Sequence, residues 1–390
     1  MVGRYSRAVK LGLMWLTAVA LASCRDAADE GAQDQDLDVA GPIQWDPKSQ
    51  MQQVASTEGC DSWTPTWAPE GNLYTGYGDC LPSGVPQKIG MGFGRLSGST
   101  GYDITFTPVP TGDPLDWDDA ATGAGVEALG EGPASEKPAG MLHVDGRLWY
   151  WIRNISAVGT GVRLKFSDNS SSTTPAFTWV NWDLPEVGYA SFVQYGVGYA
   201  GGPPGYVYAV VPMRSSTTGN VSNSAYDLVP AFGLIRGSRS ELAFRSNWTF
   251  FCGSSSAPAW CSSATAATPV LFQSGGTFTP RAGMSWNPGL GRFMLSLVYD
   301  PTPDTTGDSP RFFGALMVLV SANPWGPWQT VFSSGSTWPG ASSTSACGAT
   351  DWGAGERADI PTKYMSADGK TFFLFSSGGD CLSIARGVLP

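Results

Sequence analysis

Five times along this chain a glycine-bearing turn is followed by a short strand of alternating aromatic and aliphatic residues. The copies are Glu70-Gly71-Asn72-Leu73-Tyr74, Asp145-Gly146-Arg147-Leu148-Trp149, Pro204-Gly205-Tyr206-Val207-Tyr208, Asn287-Pro288-Gly289-Leu290-Gly291-Arg292-Phe293 and Asp368-Gly369-Lys370-Thr371-Phe372-Phe373. They recur roughly every 60–85 residues, a spacing that suits one small sheet per repeat. A short strand precedes each copy (64–67, 138–144, 190–195, 281–286, 361–366), and an outer strand follows it (89–96, 162–166, 232–236, 314–320, 382–389). The pattern predicts an all-β fold, a five-bladed β-propeller. A β-sandwich is the alternative, but it does not call for five evenly distributed hairpins. A propeller leaves no open edge, so residues 45–55 are expected to complete the last blade beside 382–389.

The composition agrees. Gly 50, Pro 29 and only 14% charged residues in 390 favour short strands and turns over long amphipathic helices. A formal charge of -10 and a pI near 4.6 speak against a nucleic-acid partner, which requires a basic surface. There is one histidine. It excludes multi-histidine zinc sites and leaves His143 as the only base available to a Ser-His-Asp triad. His143 lies in the apolar run Met141-Leu142-His143-Val144 and reads as a packed core residue. No metal and no cofactor is expected. Asp300, Asp304 and Asp308 lack the EF-hand pattern. Gly90-Met91-Gly92-Phe93-Gly94 has no following helix and reads as close β-packing.

The N-terminus reads as a targeting segment. Arg4, Arg7 and Lys10 form a basic region, residues 11–22 form an apolar stretch too short to span a bilayer, and Leu21-Ala22-Ser23-Cys24 follows. That ending resembles the lipobox of bacterial lipoproteins, in which cleavage precedes a lipidated cysteine. The expected domains are a signal peptide over 1–23, a lipidated Cys24 with a disordered tether to 43, and the propeller over 44–390. The tether is rich in Asp, Glu, Ala and Gln and lacks the apolar side chains a core needs. The expected location is the cell envelope, lipid-anchored to a bacterial membrane (outer membrane or cell surface), as a monomer. Removing Cys24 from seven cysteines leaves six, an even number that suits three disulfides in an exported protein. Six cysteines permit 15 connectivities. The pairs Cys60–Cys80, Cys252–Cys261 and Cys347–Cys381 each bracket a local hairpin or loop and are the ones expected.

The first of these pairs frames the candidate chemistry. With the turn at Pro69-Glu70-Gly71-Asn72 centred on Glu70, Cys60 faces Cys80, Asp61 faces Asp79, Trp63 faces Tyr77 and Trp67 faces Leu73. Two carboxylates opposed across strands resist joint ionisation, so an active-site role is expected for Asp61 and Asp79. Glu136, in Ser135-Glu136-Lys137-Pro138, is a third candidate. Carboxylate pairs are the usual equipment for glycoside hydrolysis, and no thiol, imidazole or phosphate loop offers a competing chemistry. The many tryptophans and tyrosines read mostly as blade-core residues, with some lining sugar subsites.

Several stretches carry a resemblance. They are Asp61-Ser62-Trp63-Thr64-Pro65-Thr66-Trp67-Ala68, Leu73-Tyr74-Thr75-Gly76-Tyr77-Gly78-Asp79, Lys137-Pro138-Ala139-Gly140-Met141, Phe192-Val193-Gln194-Tyr195-Gly196-Val197-Gly198-Tyr199-Ala200-Gly201, Asn323-Pro324-Trp325-Gly326-Pro327-Trp328 and Pro361-Thr362-Lys363-Tyr364-Met365-Ser366-Ala367-Asp368-Gly369-Lys370. In this order they resemble the family filed as domain of unknown function 4185. The resemblance implies a five-bladed propeller related to arabinanase- and levanase-type glycosidases, some members being endo-D-arabinanases with paired aspartates in the first blade. Those aspartates fall on Asp61 and Asp79, with Glu136 at a third-carboxylate position. Trp63, Lys137, Tyr195 and Lys363, in the same stretches, are expected to bind substrate. The chain departs from the family in the cysteines beside both aspartates, its tryptophan content and the segment holding Cys252 and Cys261. The implied activity is hydrolysis of a furanose-containing, arabinan-like polysaccharide, endo-acting and inverting. The alternative is a non-catalytic propeller that binds glycan or protein.

The lipobox reading has a direct test. Cys24→Ala should yield an unprocessed or soluble protein in a membrane-partition assay, and continued anchoring of that variant contradicts it.

Overall fold

The computed structural model describes residues 42–80, 89–109, 126–129, 136–156, 159–173, 175–274, 277–300, 314–339, 347 and 355–390, with the backbone alone at 79, 89 and 126–129. Residues 1–41, which include the expected signal peptide, Cys24 and most of the expected tether, lie outside the described residues, as do most of the 110–135 segment and the 301–310 loop, while Ile43, expected in the tether, is buried in the fold.

The strands form five separate antiparallel sheets, one per sequence repeat, as a propeller requires. Blade one holds Thr66–Trp67, Leu73–Cys80, Ile89–Ser97 and Thr105–Pro108, with Val126–Leu129 also on Ile89–Ser97. Blade two runs Lys137–Val144, Arg147–Arg153, Val162–Ser167, Thr178–Leu184. Blade three runs Ser191–Phe192, Tyr206–Met213, Ala231–Ser238, Trp248–Phe251, Trp260–Cys261. Blade four runs Gly283–Asn287, Arg292–Tyr299, Ala315–Ser321, Gln329–Ser333. Blade five runs Ala358–Asp359, Thr371–Ser376, Ser383–Val388. The N-terminal strands Gln44–Trp45 and Gln52–Gln53 both pair with Ser383–Val388, closing the ring as expected.

One inner strand differs from the sequence reading. Blade five was expected to enter at 361–366, but the pairing occurs at Ala358–Asp359, and Thr362–Tyr364 forms a 3-10 turn. Pro361 precedes that turn and has no N–H to give a ladder.

Neighbouring inner segments touch directly around the channel. The His143 N–H donates to Thr66 Oγ1 at 2.9 Å, Gln194 Nε2 donates to the Met141 carbonyl at 2.8 Å, and the Trp286 N–H donates to the Gln194 carbonyl at 2.8 Å. Ser296 Oγ, on the second strand of blade four, donates to the Ala358 carbonyl of blade five at 2.7 Å, and the Ser62 N–H donates at 3.2 Å to Ser377 Oγ, just past the second strand of blade five. This approach leaves no room for a side chain at Gly140, where a Cβ would run into the Ala190 carbonyl and lie 3.0 Å from the Phe192 nitrogen.

Aromatic rings fill the spaces between and within blades. Trp151 of blade two meets Phe192 and Trp248 of blade three, with centroids 6.0 and 5.0 Å away. Trp45 lies edge-on to Phe332 and Trp338 of blade four and to Phe372 of blade five. Such pairs add about 0.5–1.5 kcal/mol each beyond the area they bury. The three disulfides are Cys60–Cys80, Cys252–Cys261 and Cys347–Cys381.

His143 is 3% exposed, and its Nδ1 has no hydrogen-bond partner. Burial pushes its pKa below the ordinary value, against the opposing pull of Glu70 and Asp145. The unfolded chain takes up a proton near the usual value of about 6.5, and the folded chain does so only at lower pH, so acidification favours unfolding. Stability measured by denaturant titration should therefore fall as pH drops from about 7 towards 5, a window above most carboxylate titrations. His143→Gln, in a chain with no other histidine, should flatten that slope.

Candidate functional site

Inner strands of a propeller run in the same sense, so residues at their starts gather at one end of the channel. Asp61, Lys137, Tyr189, Arg281 and Arg357 occupy those starts. The second strand of each blade runs back antiparallel and brings its last residues to the same end. In blade two this sets Arg153 opposite Lys137.

Asp61 is 5% exposed, and its Oδ1 has no hydrogen-bond partner. Its backbone exchanges both hydrogen bonds with Gly78, at 2.9 and 3.0 Å. The expected opposition of Asp61 and Asp79 is therefore off by one: Asp61 faces Gly78, and Asp79 is the next residue along. Lower in the hairpin the expected register holds, with Trp67 opposite Leu73. The slip is absorbed over residues 62–65. Ser62 adopts φ 62° there, a left-handed conformation costing roughly 1–2 kcal/mol in a residue with a side chain. Pro65 cannot donate. Side chains replace the ladder, the Thr64 N–H donating to Thr75 Oγ1 at 2.9 Å and the Gly76 N–H to Thr64 Oγ1 at 3.1 Å. Asn154, directly after Arg153, is also left-handed, at φ 61°. Strain beside two buried charged residues at one channel mouth is typical of a functional site.

Three buried arginines that the sequence reading did not single out stand at the same end of the channel. Arg357 has a complete set of partners. It grips Asp359 with two bonds (Nε–Oδ2 2.5 Å, Nη2–Oδ1 2.9 Å), and Nη1 donates to the Ala139 carbonyl, Tyr189 OH and Ser191 Oγ. Asp359 holds the guanidinium charged more firmly than usual, outweighing the effect of burial. Arg281 forms an ion pair with Glu356. Its charge also feels Asp61, and its pKa is lowered to about 10 by burial first and by Arg153 second. Arg153 donates from Nε to the Pro138 carbonyl at 3.1 Å and lies against Tyr189 and Tyr226. Tyr226 is 37% exposed, and its hydroxyl accepts from Asn154 Nδ2 at 2.6 Å.

The other residues expected at the site fall elsewhere or play another part. Trp63 is 1% exposed and packs with Tyr77 and Phe106 inside blade one, so burial removes it from contact with substrate. Tyr195 and Lys363 are at the far ends of their inner segments, beyond Tyr189 and Arg357 in the chain. Tyr195 is buried among Tyr199, Trp286 and Phe293. Lys363 Nζ donates to the Gly98 carbonyl at 2.7 Å, joining blade five to blade one. Lys137 is at the expected end but fully buried. Glu136 stands beside it, half-buried, and acts on Arg163, which is paired with Asp183. Among the described residues no group of three or more His, Cys, Asp or Glu side chains is placed to hold a metal ion.

A usable signal for the arginines did exist. In a chain with 14% charged residues, Arg153 ends the apolar strand Leu148-Trp149-Tyr150-Trp151-Ile152-Arg153, and Arg281 and Arg357 precede their inner strands at the matching point of the repeat.

The fold is similar to that of the GH43_1 enzyme from Xanthomonas citri complexed with xylotriose, at 11% identity and a TM-score of 0.49, covering 87% of this chain and 89% of that one. It is similar to the catalytic domain of the Coprinopsis cinerea GH62 alpha-L-arabinofuranosidase (8% identity, TM-score 0.43, 89% and 97% covered). It is also similar to the endo-arabinase from Bacteroides thetaiotaomicron (11%, 0.43, 87% and 97%). At these identities the likeness concerns the fold alone: a five-bladed β-propeller with structural neighbours among glycoside hydrolases. No family model and no curated protein matches the chain.

Proposed function

We propose that the protein is a glycoside hydrolase whose active site is the Asp61 end of the channel. The observation that carries this reading is the Asp61 carboxylate itself. It is buried at the channel mouth beside a left-handed residue, with an oxygen that no group among the described residues engages and a cation within electrostatic reach. A carboxylate in that setting is suited to take a proton from water or to attack a sugar carbon. Asp61 acts as the base, activating a water that attacks with inversion. The acid that protonates the leaving oxygen is Asp79, next to the residue facing Asp61, or Glu136 at the start of blade two. The resemblance to the domain of unknown function 4185 family favours a furanose-containing, arabinan-like polymer and endo cleavage. Cys24 anchors the enzyme to a bacterial membrane, with residues 25–43 as the tether.

A second reading, a glycan-binding propeller without catalysis, draws on the arginine-rich company of Asp61 and on the glycine that faces it.

The two separate in a reducing-sugar screen of the soluble domain on a polysaccharide panel. The hydrolase reading predicts release of reducing ends from one polymer. Asp61→Asn should fold with an unchanged thermal midpoint and lose activity by orders of magnitude on both the polymer and an aryl glycoside. Of Asp79→Asn and Glu136→Gln, the variant lacking the acid should lose activity on the polymer but retain it on an aryl glycoside, whose leaving group needs no proton. Binding without release favours the second reading, and near wild-type rates in Asp61→Asn exclude Asp61 as the base.

A further inference from the structure

The three arginines at the channel mouth are not equally satisfied. Arg357 is held by a carboxylate, two hydroxyls and a carbonyl. Arg281, 3% exposed, faces Glu356 and Asp61, and its Nε has no hydrogen-bond partner. Arg153, 1% exposed, has a carbonyl at Nε and none at Nη1, and no carboxylate among the described residues pairs with it. A buried guanidinium left without a counter-charge is strongly destabilising. Here a second one stands close enough to weaken its neighbour's hold on its proton. Of the three arginines, Arg153 is the one without a carboxylate partner among the described residues.

One exposed ring touches both. The Tyr226 centroid is 5.1 Å from Arg153 Cζ and 5.9 Å from Arg281 Cζ. Its hydroxyl is fixed by Asn154, whose left-handed backbone places it directly after Arg153. Tyr189, the ring on the other side of Arg153, is fully buried. Of the two rings beside Arg153, Tyr226 is the one exposed to solvent.

We propose that this end of the propeller binds a glycan through an anionic substituent, a carboxylate or a sulfate ester, seated between Arg153 and Arg281 against the Tyr226 ring. The inference rests on the glycan reading of the same site and adds the substrate class. Guanidinium forks match the spacing of two oxygens on a carboxylate or sulfate, and such charge-assisted bonds are about twice as strong as neutral ones. A neutral hydroxyl can accept one bond but brings no charge to Arg153. The Tyr226 face supplies an apolar surface for the sugar ring that carries the anion.

The test is affinity electrophoresis of the soluble domain through gels holding neutral arabinan, polygalacturonate or carrageenan, at low and high salt. One acidic polymer should retard the protein at least about tenfold more strongly than arabinan does, the value of one or two charge-assisted hydrogen bonds, and less so at high salt. Retardation by polygalacturonate identifies the carboxylate, and retardation by carrageenan the sulfate. Arg153→Gln should lose that preference, and Arg153→Lys should keep part of it. Without polymer, Arg153→Gln should match or exceed the wild-type thermal midpoint, because the uncompensated charge is gone. If the Arg153 variants fail to fold, Tyr226→Ala decides, since its side chain is exposed and its loss should weaken the same interaction. Equal retardation by all three polymers, retardation by arabinan alone, or an acidic preference that survives both Arg153→Gln and Tyr226→Ala overturns this inference while leaving the glycan reading in place. No retardation, with no reducing ends released from the same polymers, overturns both.

Discussion

Everything in this molecule depends on closing the ring. Five sheets arranged around a channel leave one unpaired edge unless the two ends of the folded chain meet, and here they meet in the fifth blade. Gln44 and Trp45 pair with Val388 and Gly387, and Gln52 and Gln53 with Ile384 and Ser383. The closure is reinforced across blades. The Asp46 carboxylate accepts from Arg386 at 2.9 Å and from Tyr102 of blade one at 2.9 Å, and the Ile43 N–H donates to the Val331 carbonyl in blade four. One short segment thus ties blades four, five and one, and Trp45 covers the seam.

Closure has a directional consequence. Once the inner strands run in the same sense around the channel, each end collects a different set of side chains. The finishing end is packed and largely self-contained: Tyr195, Tyr199, Trp286 and Phe293 fill it, and Lys363 is spent on a carbonyl between blades. The starting end holds Asp61, Arg153, Arg281, Glu356, Arg357 and Asp359, three carboxylates and three guanidiniums that are buried or half-buried. Such charges are tolerated only where they answer one another or a ligand. Arg357 and Asp359 answer one another. The left-handed residues Ser62 and Asn154 stand at the same end, next to Asp61 and Arg153, where local stability yields to geometry.

The sequence made the architecture legible because its signal is repeated. Five glycine turns with alternating strands predicted the blades, their outer strands to within a residue or two, and the closing N-terminal segment. The three disulfides followed from locality, each pair bracketing one hairpin or loop. The site was legible only in part. Asp61 was singled out because it was expected to oppose Asp79 in the first hairpin, and in the fold it faces Gly78 instead. The slip arises from the backbone of Ser62 and the side-chain bonds of Thr64 and Thr75, which a count from the turn cannot foresee. Trp63, Tyr195 and Lys363 were chosen for their residue type and their stretch, with no regard to which end of an inner strand they occupy. The arginines were overlooked because their signal, one at the end of an apolar strand and two just before inner strands, is a matter of position and carries no motif. Their convergence exists only after the ring closes.

The central claim is that the starting end of the inner strands is the working end. The measurement that tests it most directly is a crystal structure of the Asp61→Asn variant with an oligosaccharide from the polymer it recognises. Sugar density is expected over the channel mouth, touching the side chain at position 61 and lying against Tyr226. Sugar density confined to the opposite end, beside Tyr195 and Lys363, would contradict it.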